Sequence, residues 1–188
     1  RAMVYGLDNA RTAEFVSMVL KEFFKYHGNK RYEGMLPKIA FFATTIDSLE
    51  TELKPEVQKV LDELGLSDDI ILTNHEGATN EEIYQFRHLD DPTSYKQVIL
   101  LVNKGKEGWN CRSLCAVALH RKPDSKIFVL QASMRCLRSL TENQLTAYVY
   151  LSEENKSILE DELQDNFRLT ISDIGGSENK SKKYEVRL

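Results

Sequence analysis

The sequence contains no apolar run of about 18 residues or more and no signal peptide at its start, so nothing in it predicts a membrane span or secretion. Its three cysteines lack C-x-x-C spacing, and their odd number is typical of a reducing compartment. Its four histidines are scattered without the spacing of metal ligands. We therefore expect a cytoplasmic protein without a metal site.

Two motifs that a complete nucleoside triphosphatase needs are also missing from the sequence. There is no G-x-x-x-x-G-K-[ST] loop to hold phosphates, and no acidic pair on a strand to hold Mg²⁺. Gly105 and Lys106 do not have the spacing of such a loop. This chain alone is therefore not expected to hydrolyse ATP.

The composition is that of a soluble globular domain. The 188 residues are 41% hydrophobic and 29% charged, which excludes the disordered and membrane classes. The net charge of −4 argues against a surface that is basic throughout. Any contact with nucleic acid must therefore use a local basic strip.

Strand-like and helix-like segments alternate along the chain, and this predicts an α/β fold with a mainly parallel sheet. The predicted strands are 38–45, 69–73, 98–102, 114–119 and 145–151. The predicted helices are 56–64, 81–89, 125–137, 153–166 and one that ends near residue 26, capped by Asp8 or Asn9.

The helix predicted at 125–137 carries polar side chains on one face. Gln131, Arg135 and Arg138 are spaced i, i+4 and i+7, so they share a side of the helix. The neighbouring face is apolar, and its predicted members are Ile127, Leu130, Met134 and Leu137. Arginines aligned in this way suit polyphosphate recognition, because each guanidinium offers bidentate donors and a permanent charge. An ordinary solvated basic face is the alternative.

A glycine-containing loop follows the carboxyl end of the strand predicted at 98–102. Open α/β sheets bind their ligands at this end of their strands. Gly105 and Gly108 allow the backbone amides to approach an anion closely.

The run Glu107-Gly108-Trp109-Asn110, followed by Gln131, Arg135 and Arg138, resembles motifs V and VI of superfamily 2 helicases and translocases. The likeness is to the version found in type III restriction-enzyme helicase subunits. There, motif V ends in a Glu-Gly-Trp-Asp-like run and motif VI reads Gln-x-x-Gly-Arg-x-x-Arg. Met134 stands where the family usually has Gly, and Asn110 where it usually has Asp.

The resemblance implies a three-layer RecA-like domain with helices on both faces of its sheet, the second motor lobe of an ATP-dependent helicase or translocase. Residues 37–166 would form this lobe. Residues 1–36 would be a leading helix and linker from a missing N-terminal lobe of the same polypeptide, and 167–188 a tail or linker. ATP and Mg²⁺ would be bound mainly by the missing lobe, which is the expected partner together with a DNA or RNA backbone.

The resemblance also implies roles for particular residues. Arg135 and Arg138 would reach ATP as arginine fingers, with Gln131 positioning them. Glu107, Gly108 and Asn110 would lie at the nucleotide cleft. The expected contacts to nucleic-acid phosphates are Thr44, Thr45, Asn103, Lys104 and Lys106.

Several alternatives stay open at the level of the sequence. Thr44 and Thr45 could equally cap the following helix, and Trp109 could stack on a base or pack in the core. The whole chain could be a non-catalytic α/β module whose arginine stripe binds a protein or a phosphorylated ligand. A small enzyme with Cys111 or Cys136 as nucleophile is disfavoured, because no activating histidine and acid have a recognisable signature.

Overall fold

The computed structural model describes residues 2–7, 11–102, 109–136, 146–171 and 183–186. The strands are β1 Ala2–Leu7, β2 Lys38–Ala43, β3 Ile71–Asn74, β4 Val98–Val102, β5 Leu114–Leu119, β6 Ala147–Ser152 and β7 Lys183–Val186. The helices are α1 Thr12–Tyr26, α2 Ile46–Ser48, α3 Lys54–Glu63, α4 Asn80–Arg87, α5 Lys126–Arg135 and α6 Glu153–Phe167. A π-helical turn, Leu49–Leu53, joins α2 to α3, and a 3-10 turn, Asp68–Ile70, precedes β3.

All seven strands belong to one sheet, in the order β3-β4-β2-β5-β6-β1-β7. Strands β1 to β6 are parallel, and β7 pairs antiparallel with β1. Strand β2 lies inside the sheet, where Ile39 pairs with Val98 of β4 and with Ala116 of β5. The mainly parallel sheet expected from the alternation of elements is confirmed.

The sheet is covered on both faces, because successive side chains of a strand point to opposite sides. On one side, Ala40 and Phe42 of β2 join a core that includes residues of α4, α5 and α6. On the other side, Ile39, Phe41 and Ala43 pack with residues of α1 and α3. The three-layer α/β architecture is therefore confirmed. No helix among the described residues is both long and apolar enough to cross a membrane.

The last two strands in the sheet order, β1 and β7, were not predicted from the sequence. Strand β1, in the segment expected to lead in from another lobe, pairs with β6 along its six residues. Strand β7, in the expected tail, pairs with β1. Strand β1 is a six-residue, largely apolar run that was overlooked, whereas the four residues of β7 stand in a polar stretch and carry no clear hydrophobic pattern. That residues 1–36 derive from a missing lobe stays a prediction.

Helix α1 begins later than expected. Its N-cap is Arg11, whereas the predicted caps Asp8 and Asn9 lie outside the described residues. The expected apolar stripe is buried at Val16, Val19, Leu20 and Phe23.

The helix predicted at 56–64 differs in the opposite way, because the helical segment begins earlier in the chain than expected. Thr45 caps α2, and the chain stays helical through the π turn into α3, where Pro55 occupies a first-turn position that tolerates proline. Gly65, with a φ of 70°, follows the helix end in the left-handed region, as expected.

Lys38, the first residue of β2, is completely buried. Its Nζ donates to the carbonyl oxygen of Leu36 at 3.1 Å. Burial lowers the pKa of this amine to about 8, and the nearby Cys111 and Asp90 only partly oppose that effect. A charged lysine in this position therefore destabilises the folded state below pH 8.

We expect Lys38→Met to remove one component of the pH dependence of stability. Between pH 8 and 10.5 the unfolded chain holds more protons at residue 38 than the folded chain does, so this group makes stability rise with pH. Relative to the variant, the free energy of unfolding of the wild type should rise by on the order of 2 kcal/mol between pH 8 and 10.5. Urea unfolding at several pH values measures the difference, and parallel pH profiles for the two proteins would contradict it.

Candidate functional site

The predicted site residues that the structure describes lie at two opposite edges of the sheet. The carboxyl edge is where the parallel strands end, and it carries Thr44 and Thr45 directly after β2. The amino edge is where the strands begin. Trp109 and Asn110 lie shortly before β5, and Arg135 lies in the last turn of α5, next to Cys136, whose Sγ is 3.8 Å from the carbonyl oxygen of Tyr148 in β6.

Helix α5 packs on the sheet through a stripe of small side chains. Val129, Ala132, Ser133 and Cys136, at i, i+3, i+4 and i+7, are buried. The apolar face predicted from the sequence was partly wrong, because Ile127 is 39% exposed. The small side chains face the sheet because they let the helix axis approach it closely.

The other members of the predicted apolar face of α5 differ in how far they are buried. Leu130 is buried, Met134 is partly buried against the core, and Leu137 lies outside the described residues. On the predicted polar face, Gln131 is exposed and Arg135 is half-buried. Arg138 also lies outside the described residues.

Arg135 contacts Trp109 in two ways. Its Nη1 donates to the carbonyl oxygen of Trp109 at 3.0 Å, and its Cζ lies 5.9 Å from the centre of the indole ring. The indole in turn stacks on Phe86 of α4, with 4.9 Å between ring centres and 25° between planes. Trp109 thus packs against the core, which supports the packing interpretation over base stacking.

Asp90 anchors the chain just before β5. Its carboxylate accepts hydrogen bonds from the backbone N–H of Arg112 at 2.8 Å, from the N–H of Ser113 at 2.8 Å and from the Oγ of Ser113 at 2.7 Å. The thiol of Cys111 lies 3.5 Å from the same carboxylate. Burial opposes ionisation, but these donors outweigh it and hold the pKa of Asp90 below its usual range. This carboxylate therefore ties residues 111–113 to the end of α4.

The role of Asp90 was missed at the level of the sequence. The run Asp90-Asp91-Pro92 indicates only a helix end. The bonding partners are more than twenty positions away along the chain, so no local pattern distinguishes Asp90 from its neighbour Asp91.

At the carboxyl edge, Thr45 caps α2. Its side-chain oxygen accepts from the N–H of Ser48 at 3.0 Å, and the Oγ of Ser48 accepts from the N–H of Thr45 at 3.2 Å. The Oγ1 of Thr44 lies 3.5 Å from the Oγ of Ser48. The capping interpretation is thus confirmed for Thr45, and a contact of either hydroxyl with phosphate stays a prediction.

The rest of the carboxyl edge has mixed charge. Arg121 pairs with Glu52 at 3.4 Å, and His75 lies 3.3 Å from Glu50. Three further residues expected to contact phosphates, Asn103, Lys104 and Lys106, lie outside the described residues, as do Glu107 and Gly108 of the nucleotide-binding prediction. Asn110, the third member of that prediction, is exposed beside Trp109.

The three cysteine thiols are all buried. Burial raises the pKa of Cys111 and of Cys115 to about 12, and it raises that of Cys136 as well. Since the thiolate is the nucleophilic form, these side chains are poor nucleophiles near neutral pH. The small cysteine enzyme disfavoured by the sequence is disfavoured by the structure too.

No protein-family model and no curated protein matches the sequence. Solved structures do match the fold. Domain 2 of the DEAD-box helicase Mss116p, bound to an RNA duplex, superimposes with a TM-score of 0.60 at 14% identity, over 89% of this chain and 60% of that one. The Mycobacterium smegmatis helicase Lhr, bound to ssDNA and AMP-PNP, gives a TM-score of 0.57 at 14% identity, over 80% of this chain and 19% of that one.

These likenesses establish the fold. The chain has the RecA-like α/β architecture of a helicase second domain, as expected. It spans less than two thirds of the length of either neighbour.

We expect Asp90→Asn to lower the free energy of unfolding at neutral pH by about 2 kcal/mol, because an amide cannot accept all the bonds that the carboxylate accepts. The wild type should lose this contribution as the pH falls through the depressed pKa of Asp90, and the variant should lack that loss. Asp91→Asn, at the exposed neighbouring carboxylate, is the matched control and should change stability by less than about 0.5 kcal/mol. Equal losses in the two variants, measured by chemical denaturation, would contradict the anchoring role.

Proposed function

We propose that this chain is the second RecA-like motor lobe of an ATP-dependent nucleic-acid helicase or translocase. The observation that carries the proposal is the position of Arg135, which lies in the last turn of α5 with its guanidinium bonded to the backbone at Trp109. The fold around it is that of a helicase second domain. Of the two neighbours, one is bound to an RNA duplex and the other to ssDNA and AMP-PNP.

In this proposal ATP and Mg²⁺ are bound mainly by a first lobe, and Arg135 and Arg138 reach the β- and γ-phosphates across the cleft between lobes. A guanidinium suits this task because its charge is permanent and its planar fork matches phosphate oxygens. It stabilises the negative charge that develops on the phosphoryl oxygens during transfer. Gln131 positions the arginines, and Glu107, Gly108 and Asn110 line the nucleotide side of the cleft.

The proposed contacts to nucleic acid include Thr44 and Thr45 at the opposite edge of the sheet. Thr44, Thr45, Asn103, Lys104 and Lys106 would meet backbone phosphates of DNA or RNA, which carry position and charge but no sequence information. A lobe that moves when ATP binds at the amino edge would then carry its carboxyl edge along the strand. The run Glu107 to Asn110 favours a motor of the type III restriction-like variety, and the odd number of cysteines favours a cytoplasmic one.

We expect Arg135→Gln to lower ATP turnover by about a thousandfold, in the polypeptide that carries this chain together with its first lobe. The Michaelis constant should change little, because the arginine acts on charge that appears only in the transition state. Steady-state ATPase kinetics measure both quantities.

The matched control for Arg135 is Arg112→Gln. Arg112 is an exposed arginine that pairs with Glu33 at 2.6 Å on the surface, and such pairs contribute little to stability. Its variant should keep normal turnover. Unchanged turnover in Arg135→Gln would refute the arginine-finger role and would favour the non-catalytic binding module instead.

We expect the double variant Lys104→Ala, Lys106→Ala to bind single-stranded oligonucleotides more weakly and with a shallower dependence on salt. Removing two phosphate contacts should reduce the slope of log K against log salt concentration by about 1.4. Fluorescence anisotropy with a labelled oligonucleotide at several salt concentrations measures this slope.

A second double variant controls for net charge. Lys21 and Lys59 lie on α1 and α3, and both are exposed. Lys21→Ala, Lys59→Ala removes the same charge at residues outside the proposed contacts and should leave the slope unchanged. Equal slopes for all three proteins would show that residues 104 and 106 do not touch phosphate.

A further inference from the structure

Helix α4 runs from the carboxyl edge of the sheet toward the amino edge. It begins after the loop that follows the carboxyl end of β3, where Thr79 and Glu82 form a capping box. Its eight residues extend about 12 Å toward the amino edge. There Phe86 and, just beyond the helix, Asp90 make the contacts that hold the segment before β5.

The contacts at the amino edge form a short series that ends at Arg135. Phe86 stacks on the indole of Trp109, and the carbonyl oxygen of Trp109 accepts from Nη1 of Arg135. The guanidinium also lies over the indole, where a cation is attracted by the ring. Because Asp90 holds residues 111–113, the backbone shortly after Trp109 is tied to the segment that directly follows α4.

We propose that Trp109 is a positioning residue for Arg135, and that Phe86 fixes Trp109 in place. An arginine side chain has several rotatable bonds, so a guanidinium that is to meet a phosphoryl group needs a rigid neighbour. The indole ring and the backbone carbonyl of Trp109 supply two contacts, since the ring centre lies 5.9 Å from Cζ of Arg135 and the carbonyl oxygen accepts from Nη1. This role rests on the proposed function of Arg135.

Trp109 is the single tryptophan of the sequence, so intrinsic fluorescence reports on this cluster directly. In the chain alone, Arg135→Gln and Phe86→Leu should each shift the emission of Trp109 to longer wavelength and speed its quenching by acrylamide. Phe128→Leu is the matched control. Phe128 is a partly buried aromatic residue in the first turn of α5, packed edge-on against Phe42 at 5.4 Å, and its loss should leave the emission unchanged.

Turnover in the polypeptide that contains both lobes then tests positioning. Trp109→Leu should lower kcat by about ten- to a hundredfold with little change in KM, and Trp109→Phe should restore most of the loss. In an Arg135→Gln background, Trp109→Leu should cause no further loss, because residues that act through one another are not additive. Phe128→Leu should keep normal kcat.

The outcomes distinguish a failure of the positioning role of Trp109 from a failure of the proposed function of Arg135. If Arg135→Gln lowers turnover but Trp109→Leu lowers it by the same factor with or without Arg135, Trp109 acts independently and the positioning role is wrong, while the proposed function stands. Unchanged emission in both Arg135→Gln and Phe86→Leu would also overturn the positioning role. If Arg135→Gln leaves turnover unchanged, the proposed function fails and this inference fails with it.

Discussion

The parallel alignment of six strands is the constraint on which the rest of this structure depends. It places the ends of these six strands on one edge of the sheet and their starts on the other, and covering helices bury both faces. Side chains available for ligands are therefore concentrated at the two edges. The threonines after β2 and the arginine of α5 lie on opposite edges for this reason, although 90 residues of chain separate Thr45 from Arg135.

The amino edge is held together by polar contacts that the hydrophobic core alone could not supply. A carboxylate that accepts several hydrogen bonds fixes the chain before β5, and a backbone carbonyl orients the guanidinium of Arg135. Both are charge-assisted bonds, which are stronger than those between neutral groups. They form next to the buried thiols of Cys111 and Cys136, where competition from water is reduced.

The sequence predicted the central elements well because their patterns are local. The strands at 98–102 and 114–119 are short apolar runs whose observed bounds match the prediction, and Ser152 caps α6 as its position before a helical pattern indicates. Strand β7 could not be predicted because pairing across the sheet, and not its own composition, makes it a strand, whereas β1 is an apolar run that was overlooked. The contacts of Asp90 and Phe86 could not be predicted from the sequence either, since each depends on residues brought together only by folding.

The buried face of α5 shows how a departure from a sequence pattern can be accommodated. Met134 stands where the resembled motif usually has glycine, directly before Arg135. In the structure its side chain packs partly against the core, whereas Gln131 on the polar face of the helix is exposed. A flexible thioether chain can fill such an irregular space. The larger residue therefore adds contact with the core and leaves the contact between Arg135 and Trp109 intact.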